Sequence, residues 1–364
     1  MVVFTGVLSL IVVAAAALTW VGVRTVRESR TGRSVSTVTD PALPGFEAFL
    51  EPTPTLLVLH VEDGILASAA LLTLRSGDEG GSVVVLPPGT HLGPEEDALR
   101  LDVIVAFGQE PTDLRPIVQG LLGIGIAEVV VVDDARWESL LQPVGTLTIA
   151  NPDAVGDFPA GELALTPDQV PAYLTALGDG ESEMARLFRQ QLVYEAWAAA
   201  VAASDDPAVV PGEVDSGIGR FVRGLASGPR QLATLPVDEV EPDGEGPVRL
   251  NPAQEALEEL IASAVPFPTA SQPGARVRVR LLDGTGDPDH VLRTAPAIVP
   301  ADAEIVVVGN ADRFDYGATE IRYHVPERQG AAEAVRTALG AGRVIDDPRQ
   351  TDAFDVTIVL GPDV

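Results

Sequence analysis

The chain has 364 residues, 46% of them hydrophobic, and sets 24 Lys and Arg against 53 Asp and Glu, for a formal net charge of −29. That length accommodates two ordinary domains, each burying a core of its own, and the aliphatic content excludes a disordered chain. The acid excess demotes nucleic acid and anionic lipid surfaces as partners, and the absence of cysteine excludes disulfide and thiol chemistry without fixing a compartment.

The first segment, MVVFTGVLSLIVVAAAALTWVGV, carries no charge before Arg24. About 20 apolar residues at 1.5 Å each span a hydrocarbon core of roughly 30 Å. Residues 1–23 are therefore expected to form a retained transmembrane anchor. A cleavable signal peptide is the rival reading, since Ala14 to Ala17 are small, although the charged leader region that such peptides carry is missing. Residues 24–50 are rich in Ser, Thr and Pro and lack any period, which predicts a juxtamembrane linker.

Strands and helices then alternate. TLLVLHV (55–61) and SVVVLP (82–87) predict buried strands by their aliphatic runs and turn boundaries. PTDLRPIVQGLLGIG places Leu114, Ile117, Val118, Leu121 and Leu122 on one helical face and stops at glycine, and AEVVVVDD follows as another strand. TPDQVPAYLTALG predicts a helix with proline in its first turn. ESEMARLFRQQLVYEAWAAAVAA predicts a long one with a stripe through Met184, Leu187, Phe188, Gln191, Leu192 and Glu195. The alternation predicts an α/β fold over residues 51–242, a sheet covered by helices on both faces. Residues 243–274 read as a linker with a short helix, PAQEALEELIASAV. Residues 275–364 read as a small second α/β domain, with RVRVRLLDGTG, AEIVVVGNAD and FDVTIVLG as strands and GAAEAVRTALGA as a helix.

The order of these segments resembles the LytR-CpsA-Psr family of envelope proteins with a LytR C-terminal domain attached. TLLVLHVED is similar to that family's opening strand, VVVLPPGTHL to the strand and loop of its Ser-Ile-Pro-Arg-Asp-Thr motif, and EMARLFRQQ to its acidic, Arg, Arg, Gln, Gln helix. RVRVRLLDGTG, VVVGNADRFDY and DVTIVLG are similar to the signature strands of the LytR C-terminal domain. The resemblance implies an extracytoplasmic domain on a single-pass anchor in the cell membrane. Its activity would be magnesium-dependent transfer of a glycopolymer from a polyprenyl pyrophosphate lipid to the wall. Arg24, Arg27, Arg30 and Arg33 conflict with that topology, because arginines after a span favour the cytoplasmic side.

The sequence departs from the family at the charged positions. The opening strand's acidic residue falls on Pro54, the loop's Arg and Asp on Pro88 and Gly89, and the Tyr-Val-Arg-His-Arg motif on Tyr173 to Leu177, without arginine. Holding a diphosphate requires guanidinium groups and a cation, so the expectation is a non-catalytic binding or accessory module. It would need no cofactor and would meet a polyprenyl-linked glycan or an envelope protein. The alternatives are an active magnesium-dependent phosphotransferase and a structural adaptor with no small ligand.

Arg186, Arg189 and Gln190 are the candidate contacts, since residues three apart share a helical face; pairing with Glu183 on a solvated face is the competing account. Arg75, Arg100 and Arg115 read as surface residues. Asp133 and Asp134 read as a turn and helix cap, because no nearby triplet of donors completes a metal site. Asp283 to Gly286 reads as a tight turn. The four histidines never come in close pairs, so no metal is expected.

Overall fold

The computed structural model describes residues 38–93, 99–106, 110–241, 248–287, 289–348 and 354–364. The expected anchor, residues 1–23, lies outside them. Among the described residues no helix is long and apolar enough to cross a membrane.

In chain order the strands are β1 (Glu47–Phe49), β2 (Thr55–Glu62), β3 (Ile65–Leu74), β4 (Gly81–Leu86), β5 (Glu128–Val132), β6 (Leu147–Asn151), β7 (Gly161–Leu165), β8 (Arg230–Thr234), β9 (Val237–Val240), β10 (Arg249–Pro252), β11 (Val277–Asp283), β12 (Ala303–Asn310), β13 (Glu320–Tyr323), β14 (Arg343–Asp346) and β15 (Val356–Leu360). The helices are α1 (Leu101–Ala106), α2 (Leu114–Leu122), α3 (Asp134–Leu141), α4 (Val170–Thr175), α5 (Glu183–Ala202), α6 (Gly217–Ser227), α7 (Gln254–Ala264), α8 (His290–Ile298) and α9 (Gln329–Leu339).

The first unit is built on a five-stranded sheet in the order β5-β2-β3-β4-β8. β2 runs parallel to β5 and β4 parallel to β8, with β3 antiparallel between the two pairs. The four strands other than β3 therefore end at one edge of the sheet. Both faces are buried, which is why β2 and β4 read as unbroken aliphatic runs. One face packs under α3, α4, α5 and α6 and the β6–β7 hairpin, around Trp137, Tyr173, Tyr194, Trp197 and Phe221. The other packs under α1, α2 and α7 through Leu101, Leu114, Val118, Leu122, Leu257 and Ile261. As the sequence predicts, α2 stops at Gly123, whose φ of 65° makes it a left-handed cap.

The second unit is a six-stranded sheet in the order β1-β12-β11-β15-β13-β14. β11 lies parallel to both β12 and β15, and α8 and α9 cover one face through Val291, Ala295, Ile298, Ala332 and Val335.

Two stretches expected to be linkers, the second with a short helix, pack onto the two units. Within residues 24–50, β1 pairs antiparallel with β12, so the chain contributes an edge strand to the second unit before it builds the first. A three-residue strand is too short to show a period, and its stability comes from the sheet it joins. Within 243–274, β10 pairs with β9 and α7 buries Leu257, Ile261 and Ala264 against the first sheet.

The long helix α5 also differs from expectation. Its buried face carries Leu187, Arg189, Gln190, Val193, Tyr194, Trp197, Ala198 and Val201, while Phe188 is 48% exposed. Tyr194 and Trp197 pack edge-on to Trp137 at 5.9 and 5.8 Å between ring centroids. Those aromatic contacts set the inward direction and turn the helix away from the predicted stripe.

Candidate functional site

β4 ends in Pro87-Pro88-Gly89, at the carboxyl edge of the sheet, where open α/β sheets hold their ligands. The turn is closed locally: Thr90 donates its amide (3.0 Å) and hydroxyl (2.7 Å) to the Pro87 carbonyl, and the Asp102 amide donates to the Pro88 carbonyl at 2.8 Å. The β9–β10 hairpin covers the next residues, where the His91 amide donates to the Leu250 carbonyl at 2.9 Å. A cleft of about 510 Å³ opens beside this loop. Its apolar wall is Ile65, Leu66, Pro88, Leu177, Val248 and Leu250, and its charged rim is Arg100, Asp102, Glu181, Glu183, Arg186 and Glu239. Ile65 and Leu177 are 54% and 49% exposed. The cleft therefore presents a solvent-facing apolar surface of the kind that marks a binding groove.

The predicted contacts separate in space. Arg186 lines the cleft and pairs with Glu183 one helical turn back. Arg189 is 1% exposed and points inward: its Nη1 and Nη2 reach Glu181, the latter at 2.9 Å, and Nη2 also donates to the Ala176 carbonyl at 2.6 Å. That pairing holds the Glu181 carboxyl below the usual range. Gln190 is buried and donates to the Leu174 carbonyl at 3.0 Å, tying α5 to α4. One anion therefore does not meet Arg186 and Arg189 together, because three residues along a helix turn the side chains about 60° apart. Here that is enough to put one outside and one inside.

Of the loop positions, Pro88 and Gly89 line the cleft and Pro54 does not. Pro54 precedes the first residue of β2, at the amino edge of the sheet; the residue of β2 at the carboxyl edge is Glu62. Arg100, read as a surface residue, has a side chain 39% exposed and also lies against Gly89: a Cβ built there would stand 3.8 Å from Nη2 and 4.0 Å from Nε. Arg100 is paired in turn with Asp102, Nε to Oδ1 at 3.1 Å with a second contact from Nη2 to Oδ2. A guanidinium and a carboxylate thus stand beside Pro88 and Gly89, contributed by α1 and the residue before it. Nothing in linear spacing marks these two residues, since they reach the loop by the chain doubling back on itself. His91, buried beside them, is held below its usual pKa by desolvation first and then by Arg100 and Arg249.

Tyr173 to Leu177 lies at the end of α4. Tyr173 is buried, its hydroxyl donating to Asn151 Oδ1 at 2.9 Å, and Leu177 turns into the cleft. The position that the resembled motif fills with its last arginine is therefore an apolar wall.

Asp133 caps α3, accepting the Arg136 amide at 2.7 Å, as expected of a short polar residue before a helix. Asp134 meets more than a turn. The parallel register places His60 opposite Val132, and His60 Nε2 reaches Asp134 Oδ1 at 2.8 Å, with Glu62 completing a set whose ligand atoms lie within 4.8 Å of one another. The sequence offers no nearby triplet around Asp134, and the other two donors come from seventy-odd residues upstream through strand pairing. The set offers one imidazole and two carboxylates, a mixture suited to softer ions than magnesium, and none of the three lines the cleft. Asp283 accepts the amides of Thr285 (2.9 Å) and Gly286 (2.7 Å). Asp283 to Gly286 is thus the expected tight turn.

Residues 276–363 match the LytR_C family, described as LytR cell envelope-related transcriptional attenuator. Among solved structures, the fold is similar to that of TagV from B. subtilis, at 16% identity and a TM-score of 0.50, over 59% of this chain and 97% of that one. It is also similar to B. subtilis TagT (16% identity, TM-score 0.46, 63% and 93% covered). A third is a LytR-Csp2A-Psr enzyme from Actinomyces oris (18% identity, TM-score 0.44, 60% and 94% covered). No curated protein sequence matches the chain.

Proposed function

We propose that this chain is a membrane-anchored, extracytoplasmic envelope protein whose first unit binds an amphiphilic ligand, a polyprenyl-linked glycan or an apolar segment of an envelope protein, without transferring it. The observation that carries the reading is electrostatic. The two arginines that line the cleft are each matched by a carboxylate of the protein, Arg100 by Asp102 and Arg186 by Glu183, and Arg189 behind its wall is matched by Glu181. Glu239 adds a further acid to the rim. A diphosphate entering here would have to break those pairs, each charge-assisted bond being worth roughly 1.5 to 3 kcal/mol. Paired Arg and carboxylate groups suit hydroxyl-rich sugars instead, donating and accepting at fixed positions, and Ile65, Leu177, Val248 and Leu250 offer the apolar counterpart. The anchor at residues 1–23 would hold the cleft near the bilayer. The LytR_C unit supports the placement in the envelope.

A second reading, active magnesium-dependent phosphotransfer, draws on one observation: Arg100 and Asp102 stand beside Pro88 and Gly89, where the resemblance implies an Arg and an Asp. The test is direct. Full-length protein is incubated with magnesium and a polyprenyl diphosphate-linked glycan, and both retention of the ligand by native mass spectrometry and release of the lipid carrier are measured. Retention without release is expected, with Leu177→Asp weakening retention at least tenfold. Magnesium-dependent release abolished by Arg100→Ala would establish the second reading and remove the first.

A further inference from the structure

The opposite edge of the first sheet holds a second cavity, of about 640 Å³, between the two units. At about 30 Å³ per water it has room for roughly 20 waters, more than a single inorganic anion needs. Four arginines line it, Arg115, Arg276, Arg278 and Arg328, against two carboxylates, Glu304 and Asp355. In a chain with 53 acidic and 24 basic residues this inversion is local and specific.

The arginines are not all neutralised by the protein. Arg328 pairs with Asp355 at 3.1 Å. Arg115 has neutral partners: Nε donates to Gln119 Oε1 at 3.1 Å and Nη2 to the Ile126 carbonyl. Arg276 is buried, 5% exposed, and donates to backbone carbonyls, of Gly123 (2.9 Å), Val299 (3.2 Å) and Ala303 (3.1 Å). Among the described residues neither Arg115 nor Arg276 forms an ion pair with a carboxylate; Asp302 and Glu304 act on Arg276 from farther off. Carbonyl oxygens satisfy a guanidinium's hydrogen bonds but leave its charge standing. That charge sits in a poorly hydrated wall, where an anion is attracted more strongly than at an open surface; desolvation indeed lowers the Arg276 pKa.

We propose that this groove binds an extended polyanion, its phosphate or carboxylate oxygens meeting Arg115, Arg278 and Arg328, its hydroxyls meeting Thr269 and Ser271, and the buried Arg276 adding its charge from the wall. The site is independent of the cleft at the carboxyl edge and does not rest on the reading given for it. The molecule's overall charge of −29 does not forbid it, because at physiological salt repulsion is screened beyond about 8 Å while contacts at hydrogen-bond range survive.

The test uses the full chain and two probes, an oligo(glycerol phosphate) and an oligogalacturonate of equal charge, titrated at fixed physiological salt. Binding of either supports the site, and the tighter of the two identifies the oxyanion. Arg115→Gln combined with Arg328→Gln is expected to weaken binding at least tenfold, with the thermal midpoint recorded alongside, while Arg100→Gln combined with Arg186→Gln in the cleft leaves it unchanged. Glu304→Gln, which removes a negative charge and keeps an acceptor for the Ala270 amide, is expected to tighten binding about threefold and does not depend on the double variant folding. Failure of both probes to bind the native chain overturns the proposal, as does a loss confined to the cleft variant.

Discussion

Arg189 shows how a single side chain can be expected at a site and be found holding the site's wall. Its guanidinium is buried and grips Glu181 with both terminal nitrogens, and Glu181 in turn accepts the Gly178 amide at 2.8 Å, fixing the turn between α4 and α5 that carries Leu177. Arg189 is 1% exposed but Glu181 is 17% exposed on the cleft rim, so replacing Arg189 strands a carboxylate that water still reaches, at a cost of roughly 1 to 3 kcal/mol. Arg189→Ala is expected to lose stability on that scale in urea denaturation, and Arg189→Met with Glu181→Gln to regain most of it. The pH dependence has a definite sign. The folded-state pKa of Glu181 lies below its unfolded value, chiefly through the hydrogen bond from Arg189. The stability it contributes is therefore complete above the ordinary glutamate pKa and is lost as pH falls through the depressed one. Urea midpoints measured from neutral pH downward should decline less in Glu181→Gln than in the native chain; equal slopes would show that the pair is not coupled to folding. The sequence makes plain that Arg186 and Arg189 share a helix and that Glu183 stands within reach of Arg186. It does not say which arginine faces inward, since that depends on how Tyr194 and Trp197 seat the helix against Trp137.

At the scale of elements, periodicity and turn chemistry locate most of the strands and helices because these are local properties: aliphatic runs for β2, β4 and β15, charged and apolar alternation for β11, a glycine stop for α2, and an aspartate cap for α3. Partnership is not local. The acidic, proline-flanked stretch that reads as a connector contains α7, whose Leu257, Ile261 and Ala264 close the second face of the first sheet. The apolar residues recur at helical spacing, but only the sheet they meet makes them core. Likewise Pro54 takes a charged position in the resemblance although it stands at the wrong end of β2, and Arg100, which reads as a surface residue, lies against Gly89. Leu257→Ala removes a fully packed side chain and is expected to cost about 2 to 5 kcal/mol. Trp137 and Trp197 lie in the first unit, on the sheet's other face, so their fluorescence during denaturation reads that unit. A loss below about 0.5 kcal/mol, the scale of an ordinary surface substitution, would restore the connector to the status of a tether.

For the whole molecule, the chain path interlocks the two units. It pairs β1 with the second sheet, builds the first unit, and returns through α7 to complete the second, while Arg276 bonds Gly123 of one unit and Val299 and Ala303 of the other. The interlock places the cleft and the arginine groove at opposite edges of one sheet and brings the segment that follows residues 1–37 onto the second unit. β1 also covers β12, whose open edge would otherwise invite pairing with another chain. The closest approach is at Gly309, which faces Glu47 in the register and whose missing Cβ leaves room for the Phe46 carbonyl oxygen; any Cβ there would collide with that backbone atom. Gly309→Val therefore separates β1 from the sheet while leaving β11 and β15, on the other side of β12, in place. In hydrogen exchange, the amides of residues 46–50 are expected to lose protection by at least tenfold and those of β11 and β15 to keep theirs. The exposed β12 edge should then drive concentration-dependent association measurable by sedimentation. Retained protection at 46–50 would mean that the edge strand holds by contacts other than this backbone pairing, and that the path of the chain between residue 38 and the cleft is not set by β1.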